Sequence, residues 1–391
     1  MKRLAGLACL TAVAALTLSA CGSDGDSASG DKVKVGFVYS QVGPVDFTSV
    51  SSAFAAELGA LSEAGDTSYE AVACNDKGTP DGATQCLTKL SSDQDIDAVA
   101  GVTINGGVYA PGFKTTGLAY VSLLPIAGPD VSESALAMTG GSMGLIATTM
   151  EYFTKNLDMK KVAQINGASS PAATFDAYAK TVAEANGAEL VGGTLQLAEG
   201  QSDYLPLISR AQAAGAQGVF LAGAQGDYLP FLQAYKTAGA TFKIGGSLSS
   251  IDADIIQAFA NANVPLYVAS QFGDPVGTEL DNPAFQQLMK ASGASADTFA
   301  QYGYAGAQMF DGAVKAMDGQ SGRKAFLEFL SSPDVNFDAG PMFTQPLEKR
   351  MKEVPEVKEI AGTANYIGVY EGGKYRPLLD QPIDFSSYFV S

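Results

Sequence analysis

The chain of 391 residues contains no histidine and no tryptophan. Without histidine there is no Ser-His-Asp or Cys-His nucleophile system, and the commonest metal-ligating side chain is missing. Cysteine is scarce too: Cys9, Cys21, Cys74 and Cys86 make four, too few soft ligands for zinc once histidine is gone. Basic residues are few, with 24 Lys and Arg against 41 Asp and Glu, a net charge of −17. That balance speaks against nucleic acid as a partner and against adsorption to anionic lipid. It does not identify a cationic ligand, because acidic surface charge commonly serves solubility. The sequence carries no nucleophile elbow, phosphate loop or metal cluster, so no enzyme activity and no cofactor are expected. Asp252 and Asp254 could pass for paired catalytic carboxylates. They stand beside serines where a helix begins, however, and capping with dipole compensation explains them better.

After the extreme N-terminus no apolar run approaches membrane-spanning length. At that terminus, Lys2 and Arg3 precede an apolar stretch, Leu4 to Leu18, broken by Gly6, Thr11 and Thr17. The string Leu18-Ser19-Ala20-Cys21 then closes a secretory signal. It resembles the family of bacterial lipoproteins, which implies a signal peptide over 1–20, cleavage before Cys21 and a diacylglyceryl thioether on that cysteine. The alternative is an ordinary signal peptide with a chance cysteine. Residues 21–31, most of the string GSDGDSASGDK, read as a flexible linker. Cleavage would remove Lys2 and Arg3 and no acid, leaving 22 basic against 41 acidic residues, or −19. The expected location is the cell membrane, lipid-anchored, facing the extracellular side or the periplasm. In that oxidising setting Cys74 and Cys86 read as a disulfide, the alternatives being two free thiols or half of a metal site.

From Val33 onward short apolar runs alternate with longer helical patterns, the signature of an α/β fold with parallel sheets. Strands are expected at Val33 to Tyr39, Tyr69 to Cys74, Ala98 to Val102 and Tyr120 to Leu124. Helices fall between them, one opened by Thr79-Pro80 as N-cap and first-turn proline. The rhythm restarts after Gly140-Gly141, with strands at Lys161 to Asn166, Glu189 to Gln196, Gly218 to Ala222, Phe242 to Ile244 and Leu266 to Ala269. The chain then turns helical at Pro283 to Ala291, Asp297 to Met317 and Arg323 to Ser331, before a late strand at Tyr366 to Tyr370. Two similar α/β lobes follow from this order. The charged stretch Pro346 to Ile360 reads as a solvated surface insertion.

The element order and the strings VKVGFVYSQVGP (33–44), ACNDKGTPDGATQC (73–86), GQSDYLPLISRAQAAGAQGVFLAG (200–223) and AQYGYAGAQMFDGAV (300–314) resemble the type I periplasmic binding proteins of the Leu/Ile/Val-binding family. The resemblance implies two Rossmann-like lobes joined by a three-crossing hinge, with residues 32–139 and 272–341 in lobe 1 and 140–271 and 342–391 in lobe 2. The crossings would fall near Thr139-Gly140, Gln271-Phe272 and Pro341-Met342. It further implies a small-molecule ligand in the interlobe cleft, hinged closure, and delivery to the permease and ATPase subunits of an ABC importer. A monomer is expected. A lipid-anchored ligand sensor read by a receptor is the alternative of a different class.

In open parallel sheets the strand carboxyl ends and the helix N-termini that follow them form the ligand site. The loops at those positions supply Tyr39, Gln41, Phe47, Ile104, Asn105, Gly106, Ile126 and Ala127 from the first lobe. Ser169, Gln225, Asp227, Ser247 and Leu248 come from the second, and Tyr302 stands ready to close the pocket. Amino-acid-binding relatives use a serine after the third strand, an Ala-x-Thr stretch after the fourth, and an acid in the second lobe. Here the corresponding positions hold Asn105 or Gly106, Ile126 with Gly128, and Ser247. Ammonium left unpaired in a closed cleft is costly, so a hydrophobic carboxylate or amide is expected ahead of a free amino acid. A branched-chain amino acid is the alternative, with Asp227 answering its ammonium.

Overall fold

The computed structural model describes residues 32–42, 45–126, 128–168, 170–273, 282–349 and 358–389. The first strand, β1 (Lys32–Tyr39), is buried along most of its length, as a central strand covered on both faces must be. After a short hairpin, β2 (Gln41–Val42) with β3 (Val45–Asp46), the chain alternates helices and strands. These are α1 (Thr48–Ala64), β4 (Ser68–Asn75), α2 (Pro80–Ser92), β5 (Ala98–Val102), α3 (Gly106–Thr116), β6 (Ala119–Ser122), α4 (Gly128–Ser132) and β7 (Leu136–Ala137). The strands form one parallel sheet in the order β4-β1-β5-β6-β7. Thr79 caps α2, its side chain accepting from the Gly82 N–H, with Pro80 in the first turn.

A second sheet begins after Gly141. Helix α5 (Gly141–Glu151) leads to β8 (Lys161–Asn166), α6 (Ala172–Ala185), β9 (Glu189–Leu190), β10 (Leu195–Gln196), α7 (Leu205–Ala213), β11 (Gly218–Ala222), α8 (Tyr228–Thr237), β12 (Lys243–Ser247), α9 (Ala253–Asn261) and β13 (Leu266–Ser270). The single strand expected over 189–196 is two fragments. Gly192 and Gly193 both take positive φ, 89° and 63°, which no extended strand accommodates. Asp252 caps α9 by accepting the Ile255 N–H at 2.8 Å, the capping role expected for it.

Helices α10 (Pro283–Ser292), α11 (Ala300–Ala316) and α12 (Arg323–Ser331) return to the first sheet. A line of rings joins them to it: Phe37 to Phe54 at 4.7 Å, Phe54 to Phe310 at 5.9 Å and Phe310 to Phe326 at 5.9 Å. Such pairs add to the burial of the rings themselves. Strands β14 (Asn336–Phe337) and β15 (Leu347–Glu348) form a small hairpin. Finally β16 (Ala364–Glu371), β17 (Lys374–Pro377) and β18 (Ile383–Asp384) complete the second sheet, with β16 antiparallel to β13. The result is the expected two-lobed α/β architecture of crossing strands, each lobe with its own sheet and core.

The third crossing differs from the expected position at Pro341-Met342. Met342, Leu347 and Ala361 are all buried in the core of the first sheet, β15 pairs with β14 there, and the Ala361 N–H donates to the Ala137 carbonyl of β7, so the chain still lies against the first sheet beyond Pro341-Met342. Burial of two large apolar side chains outweighs the local loop composition. The charged stretch is also not simply solvated at its described ends. Lys349 is 4% exposed and pairs with Glu359, while Ile360 is fully buried and bridges to Ala137. Residues 350–357 lie outside the described residues, as do the signal and linker at 1–31 with Cys21. Among the described residues no helix is long and apolar enough to cross a membrane.

Candidate functional site

Strand register brings the site together. Tyr39 pairs with Val102 and Gly101 with Ser122, so the loops after β1, β5 and β6 share one edge of the first sheet. In the second, Asn166 lies opposite Ala222 and Leu221 opposite Gly246, which aligns the segments after β8, β11 and β12. The two edges meet at the crossings. The Ser142 N–H at the start of α5 donates to the Pro125 carbonyl at 3.2 Å, and the Gln271 amide donates to the Gly141 carbonyl at 3.0 Å. Tyr302, 3% exposed at the start of α11, hydrogen-bonds Gln271 and stacks edge-on to Phe272 at 5.0 Å. Burial holds its phenol well above the ordinary value, offset in part by the Ser249 hydroxyl of the second lobe. Through Tyr302, helix α11 therefore reaches the segment that follows β12 of the second sheet.

The first-lobe edge is internally wired. The Thr103 hydroxyl donates to Asp76 Oδ2 at 2.7 Å and shares a hydrogen bond with the Ser40 hydroxyl at 3.0 Å. It also accepts the Asn105 N–H at 2.9 Å. Ser40 Oγ accepts the Ile104 N–H at 3.1 Å, and the Asn105 amide donates to Asp76 Oδ2 at 3.1 Å. Ser40, Asp76 and Thr103 are all essentially buried, so these polar groups satisfy one another, as buried polar groups must. Asp130, 1% exposed, accepts the Ile126 N–H at 3.2 Å and packs against Gly106. A Cβ on Gly106 would lie 2.1 Å from one of its carboxylate oxygens. Neither Asp76 nor Asp130 stood out in the sequence; Asp76 is legible only as a turn residue in NDKG, and Asp130 as a helix-start acid.

The other expected contacts divide between surface and core. Ile104 is 41% exposed, and with Val42 and Leu229 it is one of three exposed large hydrophobic residues among those described. Gln41 is exposed, donating to Asp46 of the same hairpin at 3.1 Å and accepting from Asn75 at the end of β4 at 3.1 Å. Tyr39 and Ile126 are half-buried against the first core, whereas Phe47 is within it and packs on Phe299 at 5.2 Å. In the second lobe Gln225 is exposed and donates to Asp252. Asp227 accepts the Tyr204 hydroxyl at 2.6 Å and the Ala224 N–H at 2.7 Å. Burial, and then this carboxylate, push the Tyr204 phenol up. The Ser247 and Ser249 hydroxyls pair at 2.6 Å, and Leu248 belongs to the core. Ala127 and Ser169 lie outside the described residues.

The disulfide is formed: Cys74 at the end of β4 bonds Cys86 on α2, with their Cα atoms 5.7 Å apart. Among the described residues no group of three or more acids or cysteines is placed to hold a metal ion.

This architecture has counterparts. The family model described as periplasmic binding protein matches residues 32–353, and the chain belongs to that family, whose members bind substrates and do not transform them. No curated protein matches by sequence. A fatty acid ABC transporter substrate-binding protein from Thermomonospora curvata is similar in structure, with TM-score 0.71 and 14% identity over 92% of this chain and 95% of that one. A branched-chain amino acid ABC transporter from Thermus thermophilus with bound valine gives TM-score 0.71 and 13% identity over 92% and 98%. The branched-chain amino acid transporter substrate binding protein LivJ from Streptococcus pneumoniae, in complex with isoleucine, gives 0.69 and 16% over 90% and 99%. At these identities the likeness is one of fold.

Proposed function

We propose that this protein captures a small solute with an apolar body between its lobes and delivers it to the permease and ATPase of an ABC importer. The observation that carries this reading is the position of Val42, Ile104 and Leu229. All three follow the carboxyl ends of strands, at the sheet edges where a ligand is held in this architecture. Large apolar side chains left exposed at such edges are the ones available to an apolar solute. Lipid attachment through Cys21, a monomeric state and hinged closure at the crossings belong to the same proposal. The lobes are taken as the two sheets with their helices, the hinge passing through Thr139, Gln271 and the segment before Ala364.

The names of the solved relatives favour a branched-chain amino acid over the hydrophobic carboxylate or amide expected from the loops. Aliphatic side chains suit the apolar lip, and Asp227 is the acid available to the ammonium. Titration calorimetry with L-leucine, L-isoleucine and L-valine tests this directly, using wild type and Leu229→Asp. Saturable binding to wild type, weakened at least tenfold in the variant, is expected. Absence of binding by all three would remove the amino-acid reading and leave the hydrophobic carboxylate and amide classes.

A further inference from the structure

Helix α11 belongs to the core of the first sheet through Ala305, Met309 and Phe310, and α5 to that of the second through Met143, Ile146 and Met150. The first turns of these two helices are joined by the side chain of Gln271, which follows β13 and is 5% exposed. Its carbonyl oxygen accepts the Tyr302 hydroxyl of α11, and its amide donates to the Gly141 carbonyl of α5 at 3.0 Å. Gly141 is itself fixed. Its N–H donates to the Thr139 hydroxyl at 3.3 Å, and that hydroxyl donates to the Leu123 carbonyl, just beyond β6, at 3.0 Å. With φ at +52° and a Cβ that would lie 2.0 Å from the Pro125 carbonyl, only glycine fits there. The next residue, Phe272, packs on Tyr302 at 5.0 Å and on Phe343 at 5.9 Å. One line of contacts thus runs from the first sheet through the start of α5 and the end of β13 to α11.

We propose that the Gln271 side-chain amide sets the angle between the two lobes. A rotation that parts the start of α5 from the start of α11 breaks one of its two bonds. That leaves a buried donor or acceptor unmade, which is costly, so the arrangement in which both are formed is favoured over its neighbours. An amide suits the place because it accepts at one end and donates at the other. Gln271 is therefore a positioning residue: it holds the two sheet edges in their relation to one another and needs no contact with a solute to do so. The proposal goes beyond the functional reading above and does not rest on it.

The test measures the distance between nitroxide spin labels at Ser52→Cys on α1 and Gln233→Cys on α8, two exposed helix positions, one on each lobe. The chain from Gly22 onward is used, in which Cys74 and Cys86 are joined in the disulfide. With Gln271 and Tyr302 intact, one narrow distance distribution is expected. Gln271→Met keeps the length and removes both bonds, and should widen the distribution at least about twofold or split it. Tyr302→Phe removes only the hydroxyl and should widen it less; added to Gln271→Met it should change nothing further, since both act on the same line of bonds. It also keeps the test open should the methionine variant not fold. Variants that unfold cooperatively at a lower temperature yet keep the narrow distribution would overturn the proposal, because the bonds would then only stabilise. A broad distribution with both residues intact would overturn it too. No solute enters the measurement, so its failure leaves solute capture standing, and a failure of solute capture leaves this result untouched.

Discussion

Thr103→Val replaces a hydroxyl by a methyl of nearly the same shape at the centre of the buried first-lobe network. The change removes the donor to Asp76 at 2.7 Å, the acceptor for the Asn105 N–H at 2.9 Å and the partner of Ser40 at 3.0 Å. A hydrogen bond to a charged group contributes about 1.5–3 kcal/mol, and a buried donor left unmade costs about 1–3 kcal/mol. Partial relaxation of Asn105 and Ser40 toward other partners lowers the sum, so the expected loss is about 3–5 kcal/mol. Against a total stability of roughly 5–15 kcal/mol this is large. Urea unfolding followed by far-ultraviolet circular dichroism reads it, since there is no tryptophan to follow. Thr103→Ser keeps the hydroxyl and is expected to cost less than about 1.5 kcal/mol, the loss of one buried methyl. If Thr103→Val loses under about 1 kcal/mol while solute affinity collapses, the hydroxyl is a ligand contact and the wiring argument is wrong.

Further outcomes follow from the same structure. Gly106→Ala is expected to destabilise by about 1–3 kcal/mol through overpacking and to become neutral or stabilising in an Asp130→Ala background; equal effects in both backgrounds in a double-mutant cycle would contradict the close packing. Glu57 is 6% exposed, and burial raises its pKa from the ordinary 4.5, the Gln308 hydrogen bond opposing. Its native form binds the proton more tightly than the unfolded chain does, so its contribution is fully present below about pH 4.5 and is lost as pH rises through the native value. Glu57→Gln should therefore raise the melting temperature at pH 7 and bring no gain below pH 4; a gain independent of pH would refute the assignment. Replacing Cys74 and Cys86 together by alanine should cost about 2–4 kcal/mol, seen as a lower urea midpoint, and an unchanged midpoint would count against the bond as a stabilising link.

Much of the fold was legible because it is carried by local pattern. Lys161–Asn166, Gly218–Ala222 and Arg323–Ser331 are expected and observed with the same limits, each an apolar run or amphipathic turn bounded by clear breakers. The third crossing was not legible, since it depends on Met342 and Leu347 being buried against helices distant in sequence. The site divides in the same way. Loop positions at the strand carboxyl ends follow from topology, but whether a polar side chain there faces a ligand or a neighbour depends on tertiary pairing. Ser40 and Thr103 are 63 residues apart, and no local signal announces that their hydroxyls meet. Phe47, Leu248 and Tyr302 look like pocket walls by position, yet each is 5% exposed or less: Phe47 packs on Phe299 and Tyr302 on Phe272, both far away in sequence, and Leu248 joins the core of the second sheet.

The most direct test of the central claim is dye-monitored thermal unfolding of the chain from Gly22 onward against a panel of solutes. The panel comprises leucine, isoleucine, valine, their amides, 4-methylpentanoate and aromatic and alicyclic acids, each compared with Leu229→Asp. At about a hundred times its dissociation constant a bound solute adds roughly 2.7 kcal/mol, a shift of several degrees. The account predicts such a shift from at least one member with an apolar body, lost in Leu229→Asp. A shift that survives this substitution unchanged, or none from any member, would contradict capture of an apolar solute at the sheet edges.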